Sequence, residues 1–89
     1  MSKKRRKLNK DFEKKIYSSK KNVELILAKI YDINDEDIQK EYMTAFSEVV
    51  DSYDNLKNDY ELVGFNESSE LLISDYKKAF SIFESEYEI

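Results

Sequence analysis

Residues 38–63 read IQKEYMTAFSEVVDSYDNLKNDYELV, and this stretch decides the fold. Apolar and small side chains recur along it at intervals of three and four residues, which is the period of an α-helix. One stripe consists of Ile38, Tyr42, Ala45, Val49, Ser52, Leu56, Tyr60 and Val63. A second stripe lies beside it and consists of Phe46, Val50 and Tyr53. A helix with so wide an apolar face is expected to lie between two neighbours.

Stripes of the same period lie on both sides of this stretch. The preceding stripe consists of Phe12, Ile16, Ser19, Val23, Ile26, Ile30 and Ile33. The following stripe consists of Leu72, Tyr76, Ala79, Phe83 and Tyr87, widened by Leu71 and Phe80. Proline is absent and Gly64 is the only glycine, which favours long helices over strands joined by many turns. The sequence therefore predicts an all-α fold, a small antiparallel three-helix bundle with helices at about 9–31, 35–63 and 67–87.

Polar residues mark the expected helix ends. Asn34 is the expected N-cap of the second helix, because an acidic first turn follows it at 35–37. Gly64 fits a left-handed C-terminal cap for that helix, and Asn66 is the expected N-cap of the third helix. The polar run 18–22 is the weakest point of the first helix, and a break there would give four helices.

The two ends of the chain carry further expectations. Five cations in seven residues repel each other and oppose the dipole at a helix N-terminus. Residues 1–8 are therefore predicted to form a flexible basic arm ahead of a single helical domain at 9–89. Ile73, Ile82 and Ile89 fall off the main stripe of the third helix, so they are expected to be exposed or to form a second contact face.

Length and composition limit the class of the protein. A chain of 89 residues is a single domain with a thin core, and self-association into a dimer is a natural way to complete it. Cysteine is absent, and no apolar run approaches the roughly 18 residues of a membrane span. We therefore expect a cytoplasmic protein without a membrane span. The abundance of Lys, Asn, Ile and Tyr, which have AT-rich codons, favours a low-GC bacterium or one of its phages or plasmids.

Charge is strongly segregated along the chain. Residues 1–30 carry eleven Lys or Arg against three acids, whereas residues 31–89 carry four lysines against sixteen acids. One hypothesis is internal complementation, in which a basic first helix packs beside acidic second and third helices. A second is that the basic segment contacts phosphate, on nucleic acid or on an anionic lipid surface. A third is that the acidic helices dock on a basic surface of a partner protein.

Two sets of candidate binding residues follow from the last two hypotheses. The partner-binding set combines acids that lie largely off the apolar stripes with a terminal tyrosine, a residue type favoured in interfaces. Its members are Glu41, Glu48, Asp51, Asp54, Asp59 and Tyr87. The alternative, nucleic-acid set consists of Lys3, Lys4, Arg5, Arg6, Lys7, Lys14 and Lys15.

The residue types present exclude most catalytic designs. Histidine and cysteine are both absent, which removes His- and Cys-based nucleophilic sites, zinc sites and haem ligation. A single glycine rules out a glycine-rich phosphate loop. The segment beginning at Asp32 starts like a calcium loop but has Asp37 where glycine is required and Met43 where the bidentate glutamate is required. We therefore expect no enzyme activity, no cofactor and no metal.

These observations lead to a functional hypothesis of binding without catalysis. The size, residue types and charge pattern suit the small accessory proteins of phages and plasmids, such as inhibitors, immunity proteins and antitoxins. The first hypothesis is a protein-binding modulator, an inhibitor or immunity-type protein, that engages a basic partner surface through its acidic helices. The alternative is a nucleic-acid-associated accessory protein, dimeric through its helices, that contacts phosphate through its basic N-terminal segment.

Overall fold

The computed structural model describes residues 3–87, and the side chains of residues 9–87. Three helices follow one another: α1 (Lys3–Tyr31), α2 (Glu36–Val63) and α3 (Ser69–Glu86). The part of the chain that is described contains no strand. Phe12 near the start of α1 meets Tyr60 near the end of α2. Phe46 near the start of α2 in turn meets Phe83 near the end of α3. Neighbouring helices are therefore antiparallel, and the prediction of a small all-α three-helix bundle is confirmed.

The first helix is longer than predicted and is continuous. It begins at Lys3 and runs through residues 18–22 without interruption, so the alternative of a broken first helix is wrong. Ser19, the polar residue in its apolar stripe, is buried. Its hydroxyl donates a 2.8 Å hydrogen bond to the carbonyl oxygen of Lys15, which satisfies it within the helix. The backbone of residues 3–8 belongs to α1, and the flexibility of the segment 1–8 stays a prediction.

Aromatic side chains make up much of the core. Phe46 on α2 is fully buried and contacts Phe83 and Phe80 of α3, with ring centroids 4.9 and 6.3 Å apart. Phe12 on α1 is buried against Tyr60 and Phe65 at the opposite end of the bundle. The other buried apolar residues are Val23, Ile26, Ile30, Val49, Tyr53, Leu56, Ile73, Tyr76 and Phe83. The predicted stripes therefore supply most of the core.

Some positions of the predicted stripes are not buried. Ile38, Val63 and Leu71 were expected on apolar stripes, and all three are exposed. Ile73 was expected off the main stripe of α3, and it is only 4% exposed. Ile82, expected to be exposed or to form a second face, is 50% exposed. Ile89 lies outside the described residues.

Side-chain hydrogen bonds cap both helix ends at the connection between α1 and α2. The N-cap of α2 is Asp35 and not Asn34, because the Asp35 Oδ1 accepts hydrogen bonds from the amides of Asp37 at 2.9 Å and Ile38 at 3.1 Å. The Gln39 side-chain amide donates to the carbonyl oxygens of Ile30 at 3.2 Å and Tyr31 at 3.1 Å. Both carbonyls lie in the last turn of α1, and that of Ile30 also accepts from the Ile33 backbone amide at 3.1 Å, so Gln39 ties the end of α1 to the start of α2.

The connection between α2 and α3 turns at Gly64. This glycine has a φ of 69°, in the left-handed region, and its amide donates a 2.8 Å bond to the Tyr60 carbonyl oxygen, as the predicted cap requires. The expected N-cap role of Asn66 is wrong, because Ser68 occupies that position. The Asn66 Oδ1 instead accepts a 2.8 Å hydrogen bond from the Ser68 backbone amide. The Ser69 hydroxyl accepts a 2.9 Å hydrogen bond from the Asn66 backbone amide. Asn66 therefore shapes the turn before the helix begins.

The cap assignment at α2 gives a testable prediction. Asp35→Ala removes two hydrogen bonds to the first turn, so the free energy of unfolding should fall by about 1 kcal/mol. Asn34→Ala is the matched control, and its cost should stay within about 0.5 kcal/mol. Urea unfolding followed by circular dichroism measures both values. A larger loss for Asn34→Ala than for Asp35→Ala would contradict the assignment.

The bundle is open on one side. Helix α2 contacts both α1 and α3, whereas no Cα atom of α1 lies within 8 Å of a Cα atom of α3 in the part of the chain described. Side chains still bridge the gap, since the Tyr76 hydroxyl donates a 3.3 Å hydrogen bond to the Ser19 carbonyl oxygen. The consequence is a groove that runs between α1 and α3.

Candidate partner-binding surfaces

Three of the predicted acidic residues form a surface on the outside of α2. Glu48, Asp51 and Asp54 are all exposed, and we call them the acidic surface. Their spacing of three residues spreads them over about 120° of the helix. None of the three takes part in an ion pair with the described side chains. Their charge is therefore presented to solvent, as the sequence predicts for a docking face.

Asp59, a fourth member of the predicted set, accepts a hydrogen bond within the fold. It is half-buried, and its Oδ2 accepts a 2.8 Å hydrogen bond from the side-chain amide of Asn66. Asn66 donates a second 2.8 Å bond to the carbonyl oxygen of Gly64. Asp59 thus helps to hold the α2–α3 connection and lies apart from the acidic surface.

Glu41 and Tyr87 lie close together near the N-terminal end of α2. The Tyr87 ring is half-buried between Tyr42 and Phe83, with centroid distances of 4.8 and 5.2 Å. Desolvation and the nearby Glu41 carboxylate raise the pKa of Tyr87. Glu41 itself is exposed beside this ring. The predicted partner-binding set therefore occupies three places along α2 and its neighbours and does not form one continuous patch.

The described ion pairs do not link the helices. Lys20 and Glu24 pair within α1 at 3.9 Å, and Lys57 and Glu61 pair within α2 at 4.0 Å. Among the side chains of residues 9–87, no ion pair joins the basic α1 to either acidic helix. Close ion pairing between helices therefore does not account for the charge segregation among the side chains of residues 9–87.

The nucleic-acid set divides into two parts. Lys14 and Lys15 lie on α1 and are exposed beside the groove between α1 and α3. The other five members, Lys3, Lys4, Arg5, Arg6 and Lys7, are on the first turns of α1, and their side chains lie outside the described part. The two lysines whose side chains are described therefore lie at the border of a groove. The surface around them is not uniformly polar.

Most tyrosines have roles inside the bundle. The Tyr60 hydroxyl donates a 3.2 Å bond to the Asn9 carbonyl oxygen, and Tyr53 and Tyr76 are buried. Burial raises the pKa of all three side chains, so they stay protonated up to a higher pH than an exposed tyrosine. Tyr17 and Tyr31 are exposed, and the Lys21 ammonium lies 5.3 Å from the Tyr17 ring centroid.

Residues 3–87 contain no group of three or more His, Cys, Asp or Glu side chains arranged to hold a metal ion. Within the same range, no helix combines the length and the apolar character that crossing a membrane requires.

A groove of about 750 Å³ lies between α1 and α3, and the sequence did not indicate it. Its apolar lining residues are Leu25, Ile26, Ile73, Tyr76 and Phe80, and its uncharged polar lining residues are Ser18, Ser19, Asn22 and Ser81. Leu25 is 55% exposed although it lies in the middle of a helix. Leucine at a position off the apolar stripe of α1 is the sequence signal that could have pointed to this side.

Four lysines and one acid border the groove. They are Lys14, Lys15, Lys29, Lys77 and Glu84. We call this feature the α1–α3 groove.

Comparisons of the chain with known protein families, with curated proteins and with solved structures give no match.

Proposed function

We propose that this protein binds another protein without catalysing a reaction, and that it acts as an inhibitor or immunity-type modulator. In this proposal the acidic surface docks on a basic surface of the partner. The observation that carries it is that Glu48, Asp51 and Asp54 are exposed and unpaired by the described cations. Unpaired like charges on one helix repel each other, and a basic partner surface would relieve that repulsion.

An exposed leucine supplies an apolar contact for the same interface. Leu62 is 84% exposed and follows Asp51 by eleven residues, which is about three helical turns. The two residues therefore lie on nearly the same side of α2. Interfaces combine a few apolar anchors with a polar rim, and charge at the rim mainly accelerates association. Binding through this side should therefore be fast and sensitive to salt.

The alternative proposal is phosphate binding through the basic N-terminal segment. Its placed members, Lys14 and Lys15, border a groove whose mixed lining includes the apolar side chains of Leu25 and Phe80. A nucleic-acid backbone gains from cations and polar groups and gains little from apolar side chains. Protein binding is therefore the function that the geometry supports better.

The test uses the intact protein as bait in an extract of its native host. The variant Glu48→Lys/Asp51→Lys/Asp54→Lys reverses the acidic surface. The matched control Glu70→Lys/Asp75→Lys/Glu86→Lys makes the same charge change at exposed positions of α3. A partner captured by the wild type should be retained by the control. Its affinity for the acidic-surface variant, measured with purified partner, should fall by roughly ten-fold or more at low salt.

Two results would decide against the proposal. One is capture of the same partner by the acidic-surface variant with unchanged affinity, provided that circular dichroism shows both variants folded. The other is a shift of labelled DNA or RNA by the wild type at moderate salt that is lost when residues 3–7 are replaced by alanine. The second result would favour the phosphate-binding alternative.

A further inference from the structure

The α1–α3 groove has the geometry of a missing fourth helix. Packed helices lie about 8–10 Å apart, so two helices at opposite corners of a square four-helix bundle are about 11–14 Å apart. Helices α1 and α3 both pack on α2 but have no Cα atoms within 8 Å of each other. They are therefore farther apart than directly packed helices, as a diagonal pair in a four-helix bundle is, and the groove lies between them.

The length of the groove matches a helix of ordinary size. Its lining on α1 runs from Lys14 to Lys29. At the rise of an α-helix this span is about 22 Å, or roughly four turns. Along it, Leu25 is 55% exposed and Phe80 is half-buried, so both can gain contacts from a further apolar side chain.

The charge around the groove determines the character of the occupant. Lysines border it at both ends of the α1 lining, and Lys77 faces them from α3, with Glu84 as the single acid. None of the four lysines takes part in an ion pair among the described side chains; they are Lys14, Lys15, Lys29 and Lys77. Partly exposed apolar side chains between these lysines are complementary to a helix with one apolar stripe and acidic flanks.

We propose that the α1–α3 groove binds an acidic amphipathic helix of about four turns, supplied by another protein. The occupant would complete a four-helix bundle, with its apolar stripe on Leu25 and Phe80 and its acids beside the lysines. This site lies on the side of the bundle opposite to the acidic surface of α2, so it can exist whether or not the acidic surface binds a partner.

A second copy of this chain fits the groove less well. A symmetric dimer that pairs two such grooves would place lysines against lysines, which is repulsive. The acidic outer side of α2 in turn carries Ser47, Asp51 and Asn58, which do not form an apolar stripe. We therefore assign the complementary helix to a different protein, and the test below includes a second copy of this chain as a contradicting outcome.

The experiment uses the full-length protein and a labelled peptide of about 18 residues, with leucines at helical spacing and glutamates on both flanks. Fluorescence anisotropy measures its binding. A second peptide replaces every glutamate by lysine, and a third has the same composition in scrambled order. We expect the glutamate peptide to bind roughly ten-fold or more tightly than either of the others.

Paired variants locate the binding site. Leu25→Asn and Lys29→Glu/Lys77→Glu should each weaken the glutamate peptide by roughly ten-fold or more. Leu71→Asn and Lys40→Glu/Lys78→Glu make the same chemical changes at exposed positions outside the groove and should leave the affinity unchanged. Circular dichroism checks that each variant is folded, and the partial exposure of Leu25 makes its replacement tolerable.

Four results would overturn the proposal. The first is no measurable binding of the glutamate peptide, and the second is equal binding of the lysine peptide. The third is binding of an oligonucleotide of about 18 nucleotides to the groove lysines, with an affinity that Leu25→Asn does not change. That result would make the groove a binding site for polyanions. The fourth is a dimer in analytical ultracentrifugation that Leu25→Asn dissociates, which would make the occupant a second copy.

Discussion

Phe46→Ala should lower the free energy of unfolding by about 3–5 kcal/mol. The ring of Phe46 is fully buried and contacts Phe80 and Phe83, so its removal leaves a cavity between α2 and α3 and ends two aromatic contacts. A small domain has a total stability of only about 5–15 kcal/mol. The loss is therefore a large fraction of the total, and the melting temperature of Phe46→Ala should fall by more than about 10 °C.

Urea or thermal unfolding followed by circular dichroism at the helical band measures this loss. Tyr31→Ala is the control, because it also removes an aromatic ring from a helix but at a position that is 67% exposed. Its cost should stay within about 0.5–1 kcal/mol. A loss below about 1 kcal/mol for Phe46→Ala would mean that α2 and α3 do not pack through this ring.

The helices and most of the core were predictable because helical periodicity is a local property. Each stripe can be read within one segment, and the stripe of α1 continues through Ser19, which is buried although it is polar. The cap at Gly64 was predictable for a similar reason, since a left-handed residue at a helix end favours glycine. Asn34 and Asp35 are both good N-caps, and the choice between them depends on the backbone of the turn.

The errors in the predicted core come from the lengths and directions of neighbouring helices. Helix α3 ends at Glu86 and Tyr87 meets Tyr42, so Ile38 lies a full turn beyond this contact and is 44% exposed. Ile73 is buried, and it lines the α1–α3 groove together with Ile26 of α1. A stripe within one helix contains no information on how far its neighbours reach.

The candidate surfaces divide in the same way. The exposure of Glu48, Asp51 and Asp54 followed from their positions away from the apolar stripes. The second role of Asp59 depends on Asn66, which approaches it only after the chain has turned. The α1–α3 groove depends on the separation of two helices that residues 32–68 divide along the chain. Such a separation is set by the packing of both helices on α2, and no local pattern reports it.

Phe12→Ala should have a large effect that is concentrated in one part of the molecule. Between Phe12 and Val23, the stripe of α1 offers only the half-buried Ile16 and the buried but polar Ser19. The N-terminal half of the described α1 is therefore anchored mainly by the Phe12 ring, whose centroid lies 5.2 Å from Phe65 and 5.7 Å from Tyr60. Loss of such a ring costs about 3–5 kcal/mol.

This local anchoring can be distinguished from a global loss by native-state amide hydrogen exchange. In Phe12→Ala, protection of the amides at 10–18 should fall on the order of 100-fold, because about 1.4 kcal/mol corresponds to a factor of ten. Amides at 23–30 are held by Val23, Ile26 and Ile30 and should lose much less protection. Tyr17→Ala, at an exposed position of the same helix, should change neither region strongly. Equal losses along the whole of α1 would instead show that the helix unfolds as one unit, so that Ser19 does not divide its packing into two halves.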